Sequence, residues 1–158
     1  MKLPKPKNIK VDRYIGGLSK FKKIDNPIKL SANESALGAS PKALEAFELD
    51  KNKIFKYPES DSNTLRNALS KNLNIDEKRI ICGAGSDQIF DFICKLFLEP
   101  DDEVIVTEFG FIMHRIYASL HGAKVLLAKE KNYRACIDEI LNKVSDKTKI
   151  VFIANPNN

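Results

Sequence analysis

Hydrophobic and polar positions follow two different periods along the second half of the chain. Short apolar runs bounded by polar turns predict strands: Arg79–Cys82, Glu103–Thr107, Lys124–Ala128 and Lys149–Ala154. Segments with apolar residues three or four positions apart predict helices between them: Asp87–Leu98, Phe111–Leu120 and Ala135–Val144. Because strand and helix alternate with short connections, the pattern predicts an α/β fold, a three-layer αβα arrangement around a mainly parallel sheet.

The first part of the chain has a weaker pattern. Residues 1–28 have few periodic apolar positions and predict an extended N-terminal arm, which needs a domain or a partner to lie on. Residues 28–31 are strand-like. Ser40 followed by Pro41 predicts a helix start, and that helix runs to about Leu49. A second helix is predicted over Ser62–Leu73, with leucines on one face.

Composition and charge exclude several classes of protein. The chain has 158 residues, 43% of them apolar and 30% charged, as in ordinary globular proteins. The net charge of +5 is scattered, and the densest basic group, at positions 20–23, is too small to predict nucleic-acid binding. No apolar run approaches transmembrane length, and the Lys/Pro-rich N-terminus does not resemble a secretory signal. We therefore expect a cytoplasmic protein that binds neither nucleic acid nor membrane.

The cysteines and histidines do not predict a metal site. Cys82, Cys94 and Cys136 lie far apart in apolar or helical contexts, and unpaired cysteines are typical of a reducing compartment. His114 and His121 are seven residues apart on one predicted helix, about 10 Å along its axis, which is too far to share one ion.

A glycine-rich loop, Gly83-Ala84-Gly85-Ser86-Asp87, joins a predicted strand to a predicted helix. Glycines allow a sharp turn, and the unpaired N–H groups of a helix start attract phosphate or carboxylate. A tight turn with Ser86 as the helix cap explains the same residues equally well. The loop is not a Walker motif, and Gln88 replaces the third glycine of a dinucleotide fingerprint. Glu108 does stand near the acidic position of that fingerprint, so a nucleotide-binding module stays an alternative.

Two further loops follow predicted strands that end at the same edge of the sheet. In open α/β sheets ligands bind beyond the carboxyl ends of the strands. Phe111, after the second strand, either offers a flat face to a ring or lies in the core. The final segment, residues 155–158, carries asparagines that either close a turn or donate to a ligand oxygen.

In combination and order, several segments resemble the class I/II (fold-type I) pyridoxal-phosphate aminotransferases, specifically the histidinol-phosphate aminotransferase branch. They are "KLSANESALGASPKALEAF", "YPES", "LRNALSKNLNIDEKRIICGAGSDQ", "FLEPDDEVIVTEFGF" and "KTKIVFIANPNN". The resemblance implies the cofactor pyridoxal 5′-phosphate, an amino donor and a keto acid as substrates, and a homodimer. It also implies that residues 1–32 form an N-terminal arm and the start of a small domain. Residues 33–158 would be the first part of the cofactor-binding large domain.

The resemblance assigns cofactor contacts to five positions in the second part of the chain. Gly85, Ser86 and Asp87 match the phosphate cradle, with the backbone N–H groups of the last two as donors. Phe111 matches the aromatic residue that stacks on the pyridine ring, where many members have tyrosine. Asn158 matches the asparagine that hydrogen-bonds the ring hydroxyl.

Other matched positions lie in the first part of the chain. Tyr57 matches a tyrosine that reaches across a dimer to the partner's cofactor phosphate. Tyr14 and Asn33 match the region that closes over the substrate. Ala36 stands where the family commonly has proline, which would leave that loop less rigid.

The family's catalytic groups are expected further along the chain. Its Schiff-base lysine, the aspartate on the pyridine nitrogen and the substrate-binding arginine have no matching position up to Asn158. We therefore expect an N-terminal fragment, inactive alone, of an enzyme that transfers the amino group of histidinol phosphate to 2-oxoglutarate in histidine biosynthesis. An aromatic aminotransferase, a phospho-amino-acid decarboxylase of the same fold and a truncated chain that only binds are the alternatives.

Overall fold

The computed structural model describes residues 9–17 and 27–157. Five α-helices and five strands are formed in this part of the chain, in the order α1 Pro41–Asp50, α2 Asn63–Leu73, α3 Gly85–Phe97, β1 Glu103–Thr107, α4 Ile112–Leu120, β2 Lys124–Ala128, β3 Glu130–Lys131, β4 Arg134–Ala135, α5 Ile137–Leu141 and β5 Thr148–Phe152. Single 3₁₀ turns lie at Lys51–Lys53 and Glu77–Arg79.

Three of the strands form a parallel sheet in the order β2-β1-β5. The central strand β1 pairs in continuous register with β2, from Glu103 opposite Lys124 to Thr107 opposite Ala128. Its pairing with β5 shifts register once, next to Glu103. All five residues of β1 are buried, as expected for the central strand of a sheet covered on both faces.

Helices cover both faces of this sheet. On one face, Cys94 of α3 and Ala118 of α4 pack with Val104 and Val106. On the other face, Ile140 of α5 packs with Ile105 and Ala128. The predicted three-layer αβα arrangement with a parallel sheet is therefore confirmed.

The described residues fall into two compact units. One unit combines the residues up to Tyr14 with those from Gly83 onward, and contains the parallel sheet. Its N-terminal part is extended, and Asp12 lies 3.1 Å from the Arg115 guanidinium of α4. The other unit spans Ile15–Cys82 and contains α1 and α2, and none of its described residues is fully buried. The division predicted at residues 32 and 33 stays a prediction.

Several element predictions were wrong in detail. Arg79–Cys82 is not a strand: Arg79 ends a 3₁₀ turn, and the Ile80 N–H donates back to the Glu77 carbonyl. Residues 28–31 are not paired as a strand within the described chain. The last predicted helix is shorter, at Ile137–Leu141, and the last strand ends at Phe152. The β3–β4 hairpin was not predicted.

The buried face of α3 does not include its last two residues. Leu96 and Phe97 are 71% and 64% exposed. The stripe that packs on the sheet instead runs through Phe90 and Cys94, which are four residues apart on one helix face, and continues to Leu98 directly after the helix. Within the described residues, no helix is both long and apolar enough to cross a bilayer.

Candidate functional site

The first turn of α3 offers unpaired backbone donors. Ala84, the residue before the helix, provides no side-chain cap. Among the described residues, the N–H groups of Ser86 and Asp87 donate to no protein acceptor. Gly85 has φ +75°, in the left-handed region that favours glycine, and a Cβ built there would meet no atom within 4 Å. The N-terminal end of α3, with the free N–H groups of Ser86 and Asp87, is called the mouth of α3 below. It combines free donors with the partial positive end of the helix dipole, and both suit an anion.

The side chain of Gln88, in the first turn of α3, binds the backbone of the preceding loop. The Ala84 N–H donates to Oε1 of Gln88 over 2.6 Å. A Cβ at Gly83 would lie 3.0 Å from the Ile89 side chain and 3.2 Å from Gln88 Oε1. Glycine at 83 therefore allows the loop to lie against the first turn of α3. Gln88, which departs from the dinucleotide fingerprint in sequence, has a structural role here.

The Asp87 carboxylate places a negative charge near Tyr117 of α4. Tyr117 has its pKa raised above the usual value by burial first, and then by the negative charges of Asp87 and Asp91. Asp91 in turn lies 2.8 Å from Nε2 of His121. The charge of Asp87 thus affects Tyr117, while the Asp87 backbone N–H is free at the helix start.

Four aromatic rings connect the start of α3 to the ends of β1 and β5. Phe90, one turn into α3, lies 6.3 Å from Phe111 and 5.7 Å from Phe152, both edge-on. His114 stacks on Phe152 at 4.9 Å and meets Phe90 edge-on at 4.6 Å. Phe111 is half-buried at the first turn of α4, with its ring edge-on to His114 at 5.8 Å. The cluster brings Phe111 and the mouth of α3 to the same edge of the sheet.

His114 is a buried titratable group inside this cluster. Only 6% of it is exposed, and burial lowers its pKa below the ordinary value. It is therefore neutral at physiological pH and belongs to the apolar support of the site.

The loops after β1 and β5 are joined by one carboxylate. Glu130 accepts the Phe109 N–H at 3.1 Å through Oε1 and the Asn157 side-chain amide at 2.8 Å through Oε2. Asn157 is preceded by a cis peptide bond between Asn155 and Pro156. Sequence reasoning missed Glu130, since nothing in its local pattern signals these two contacts.

The remaining predicted residues lie elsewhere or outside the described chain. Tyr14 is 55% exposed in the extended segment. Asn33, with φ 51°, and Tyr57, 93% exposed, belong to the Ile15–Cys82 unit. Asn158 lies outside the described residues. Within those residues, no group of three or more possible metal-ligating His, Cys, Asp or Glu side chains occurs.

Comparison with protein families gives one match that covers most of the chain. Residues 25–158 match the family described as aminotransferase class I and II. The match fits the α/β architecture and favours this family over a dinucleotide-binding module.

Individual relatives are similar over the whole chain. It is 53% identical, over 100% of its length, to a histidinol-phosphate aminotransferase of Pelagibacter ubique, of which it covers 44%. It is 42% identical, over 98% of its length, to that of Rhodospirillum rubrum, of which it covers 42%. The crystal structure of histidinol-phosphate aminotransferase from Sinorhizobium meliloti in complex with pyridoxal-5′-phosphate superposes on 80% of this chain and 35% of its own, with 26% identity and a TM-score of 0.75. The chain thus spans less than half the length of these relatives.

Proposed function

Since this chain belongs to the aminotransferase class I and II family, we propose that it is the N-terminal part of a pyridoxal-phosphate-dependent histidinol-phosphate aminotransferase. The observation that carries the proposal is the open mouth of α3, with the free N–H groups of Ser86 and Asp87 beside the Phe111 cluster. Identity over the whole chain to enzymes of that name supports the choice of substrate.

The residues present fit the cofactor. The N–H groups of Ser86 and Asp87 would hold its phosphate, with Gly85 leaving room for the approach. Phe111 would support one face of the ring, and Asn158 would bind the ring hydroxyl. When bound, pyridoxal phosphate supplies the reactive aldehyde and the electron-withdrawing ring for amino transfer.

The chain's own residues supply binding and orientation. The aromatic cluster would shield one side of the helix start from water, which would strengthen the interaction between the amide donors and a phosphate. Tyr57 would complete the phosphate site across a homodimer, and Tyr14 and Asn33 would contribute to the substrate side. We place the protein in the cytoplasm, with small-molecule substrates: an amino donor and a keto acid.

The test compares the full-length protein with residues 1–158 alone. The full-length protein is expected to bind pyridoxal phosphate with a shift of the coenzyme absorbance, and to transfer the amino group of histidinol phosphate to 2-oxoglutarate. Residues 1–158 are expected not to transaminate, because the reactive lysine is expected beyond them. Full-length protein that acts on aromatic keto acids in preference would support the aromatic aminotransferase alternative, and absence of coenzyme binding would overturn the proposal.

A further inference from the structure

We infer that Glu130 is a positioning residue that sets the spacing between the loop after β1, which leads to Phe111, and the loop after β5, which contains Asn157. The inference rests on the proposed function, because those two loops would carry the groups that contact the cofactor ring. Glu130 would act through these loops, because its two carboxylate oxygens accept the Phe109 N–H and the Asn157 side-chain amide.

The position of Glu130 in the sheet explains why one side chain reaches both loops. It follows β2, and β1 lies between β2 and β5. The Glu108 N–H donates to the Ala128 carbonyl at 3.0 Å, which extends the β1–β2 pairing past the strand ends. From there the two carboxylate oxygens reach Phe109, after β1, and Asn157, after β5. The end of every strand of the parallel sheet is thereby linked through Glu130.

The β3–β4 hairpin holds Glu130 in place and makes a second pair of contacts with the same two residues. Glu130 pairs with Ala135, and the turn residues Asn132 and Tyr133 have φ values of 53° and 58°. The Tyr133 carbonyl accepts the Asn157 side-chain amide at 3.1 Å. The Tyr133 ring lies 5.5 Å from that of Phe109. Two different groups of one hairpin thus hold Phe109 and Asn157 together.

These contacts also fix the orientation of the Asn157 amide. Its Nδ2 donates to both Glu130 Oε2 and the Tyr133 carbonyl, which uses both N–H bonds. Its Oδ1 is buried and has no partner among the described residues. Hydrogen bonds to a charged acceptor are stronger than neutral ones, so the carboxylate is the main anchor of this arrangement.

The test uses Glu130→Ala and Glu130→Gln in the full-length apo-protein. Glutamine keeps the side-chain shape but offers only one acceptor oxygen, so one of the two bonds is lost. Glu139→Gln, on α5, is the matched control: it removes the same charge, and its side chain forms no hydrogen bond within the described residues. Thermal unfolding of each variant checks that it folds.

Two readouts separate positioning from a general loss of stability. Hydrogen exchange of the Phe109 amide, measured without coenzyme, is expected to become faster in both Glu130 variants while the amides of the central strand β1 stay protected. Equilibrium dialysis with pyridoxal phosphate is expected to give a Kd about tenfold higher for Glu130→Ala, the effect of losing a charged hydrogen bond, and a smaller increase for Glu130→Gln. The visible circular dichroism of the bound coenzyme should change in the same order, and Glu139→Gln should match the wild type.

The possible failures are distinguishable. If the wild-type protein does not bind pyridoxal phosphate, the proposed function fails and this inference fails with it. If the wild type binds, but the Glu130 variants show wild-type exchange at Phe109, wild-type Kd and wild-type dichroism, only the role of Glu130 is overturned.

Discussion

The imidazole of His114 stacks on the ring of Phe152, with centroids 4.9 Å apart and planes 11° from parallel. This contact links α4 to the end of β5 and completes a cluster with Phe90 and Phe111. Because the faces that meet His114 are aromatic, protonation of its ring would place a charge in poorly solvated surroundings.

The protein is therefore expected to lose stability in mild acid through His114. Burial lowers the pKa of His114 in the folded state, so the unfolded chain takes up the proton first. The contribution of neutral His114 to the free energy of unfolding is fully present above the unfolded-state pKa of about 6.5. It is lost as pH falls from there toward the folded-state pKa, with a slope of at most about 1.4 kcal/mol per pH unit for one proton. Urea unfolding of wild type and His114→Phe between pH 7.5 and 5.5 checks this. Equal pH slopes in the two proteins would contradict it.

A second pH effect is expected at the opposite end of the sheet. Glu103 accepts the Ser145 hydroxyl at 2.6 Å and the Lys124 ammonium at 3.0 Å. The hydrogen bond from Ser145, followed by that from Lys124, lowers the pKa of Glu103. The contribution of ionised Glu103 to the free energy of unfolding is present above the ordinary pKa of glutamate. It is lost as pH falls through the lowered pKa of the folded state.

Glu103→Gln should therefore lower the urea midpoint at pH 7 more than Glu99→Gln, a matched change at an exposed glutamate whose side chain forms no hydrogen bond in the described chain. The difference between the two variants should shrink in acid, where the wild-type carboxylate is protonated. A difference that persists unchanged below the folded pKa would exclude the ionised carboxylate as its cause.

Replacement of Phe111 tests the aromatic face of the site. Phe111→Leu keeps an apolar side chain but removes the flat ring, so pyridoxal phosphate binding by the full-length protein should weaken about tenfold, in line with the energy of an aromatic contact. Phe111→Tyr should bind as well as the wild type. Phe97→Leu is the control, since Phe97 is 64% exposed at the end of α3. Equal Kd values for the leucine variants would remove Phe111 from the site.

Alanine substitutions at two glycines with the same backbone conformation distinguish an effect of backbone strain from an effect on cofactor binding. Gly85 and Gly38 both have φ +75° and open space where a Cβ would stand. Alanine at either position should cost about 1 kcal/mol of stability, the strain of a left-handed residue. Only Gly85→Ala should also weaken pyridoxal phosphate binding, because its methyl group would project into the mouth of α3. Comparable binding losses in both variants would indicate a general effect of strain.

Local pattern predicted much of the fold because strands and helices have different periods. The strands Glu103–Thr107 and Lys124–Ala128 were predicted with the bounds they have. Arg79–Cys82 failed because pairing is non-local: an apolar run becomes a strand only beside a partner, and here Ile80 bonds back to Glu77 instead. Tyr133 adopts a positive φ in the hairpin that was not predicted, and tyrosine is not a residue type that indicates such a conformation.

The geometry of the candidate site was predictable where one residue type has one backbone role. Gly85 and the helix start after it are of this kind, and the structure has the predicted open donors at Ser86 and Asp87. Glu130 was not predictable, because its two contacts lie 21 and 27 positions away in sequence. The contacts of Tyr57 and Asn158 stay predictions.

Removal of one backbone donor at the mouth of α3 tests whether the N–H groups of Ser86 and Asp87 hold the cofactor phosphate. Proline is tolerated in the first turn of a helix, so Ser86→Pro deletes the N–H group with little damage to α3, whereas Ser86→Ala keeps the N–H group and removes only the hydroxyl. Binding of pyridoxal phosphate to the full-length apo-protein would be measured by calorimetry, with and without competing inorganic phosphate. We predict a Kd at least about tenfold higher for Ser86→Pro, loss of phosphate competition in that variant, and near wild-type values for Ser86→Ala. Equal affinities for wild type, Ser86→Pro and Ser86→Ala would contradict this prediction.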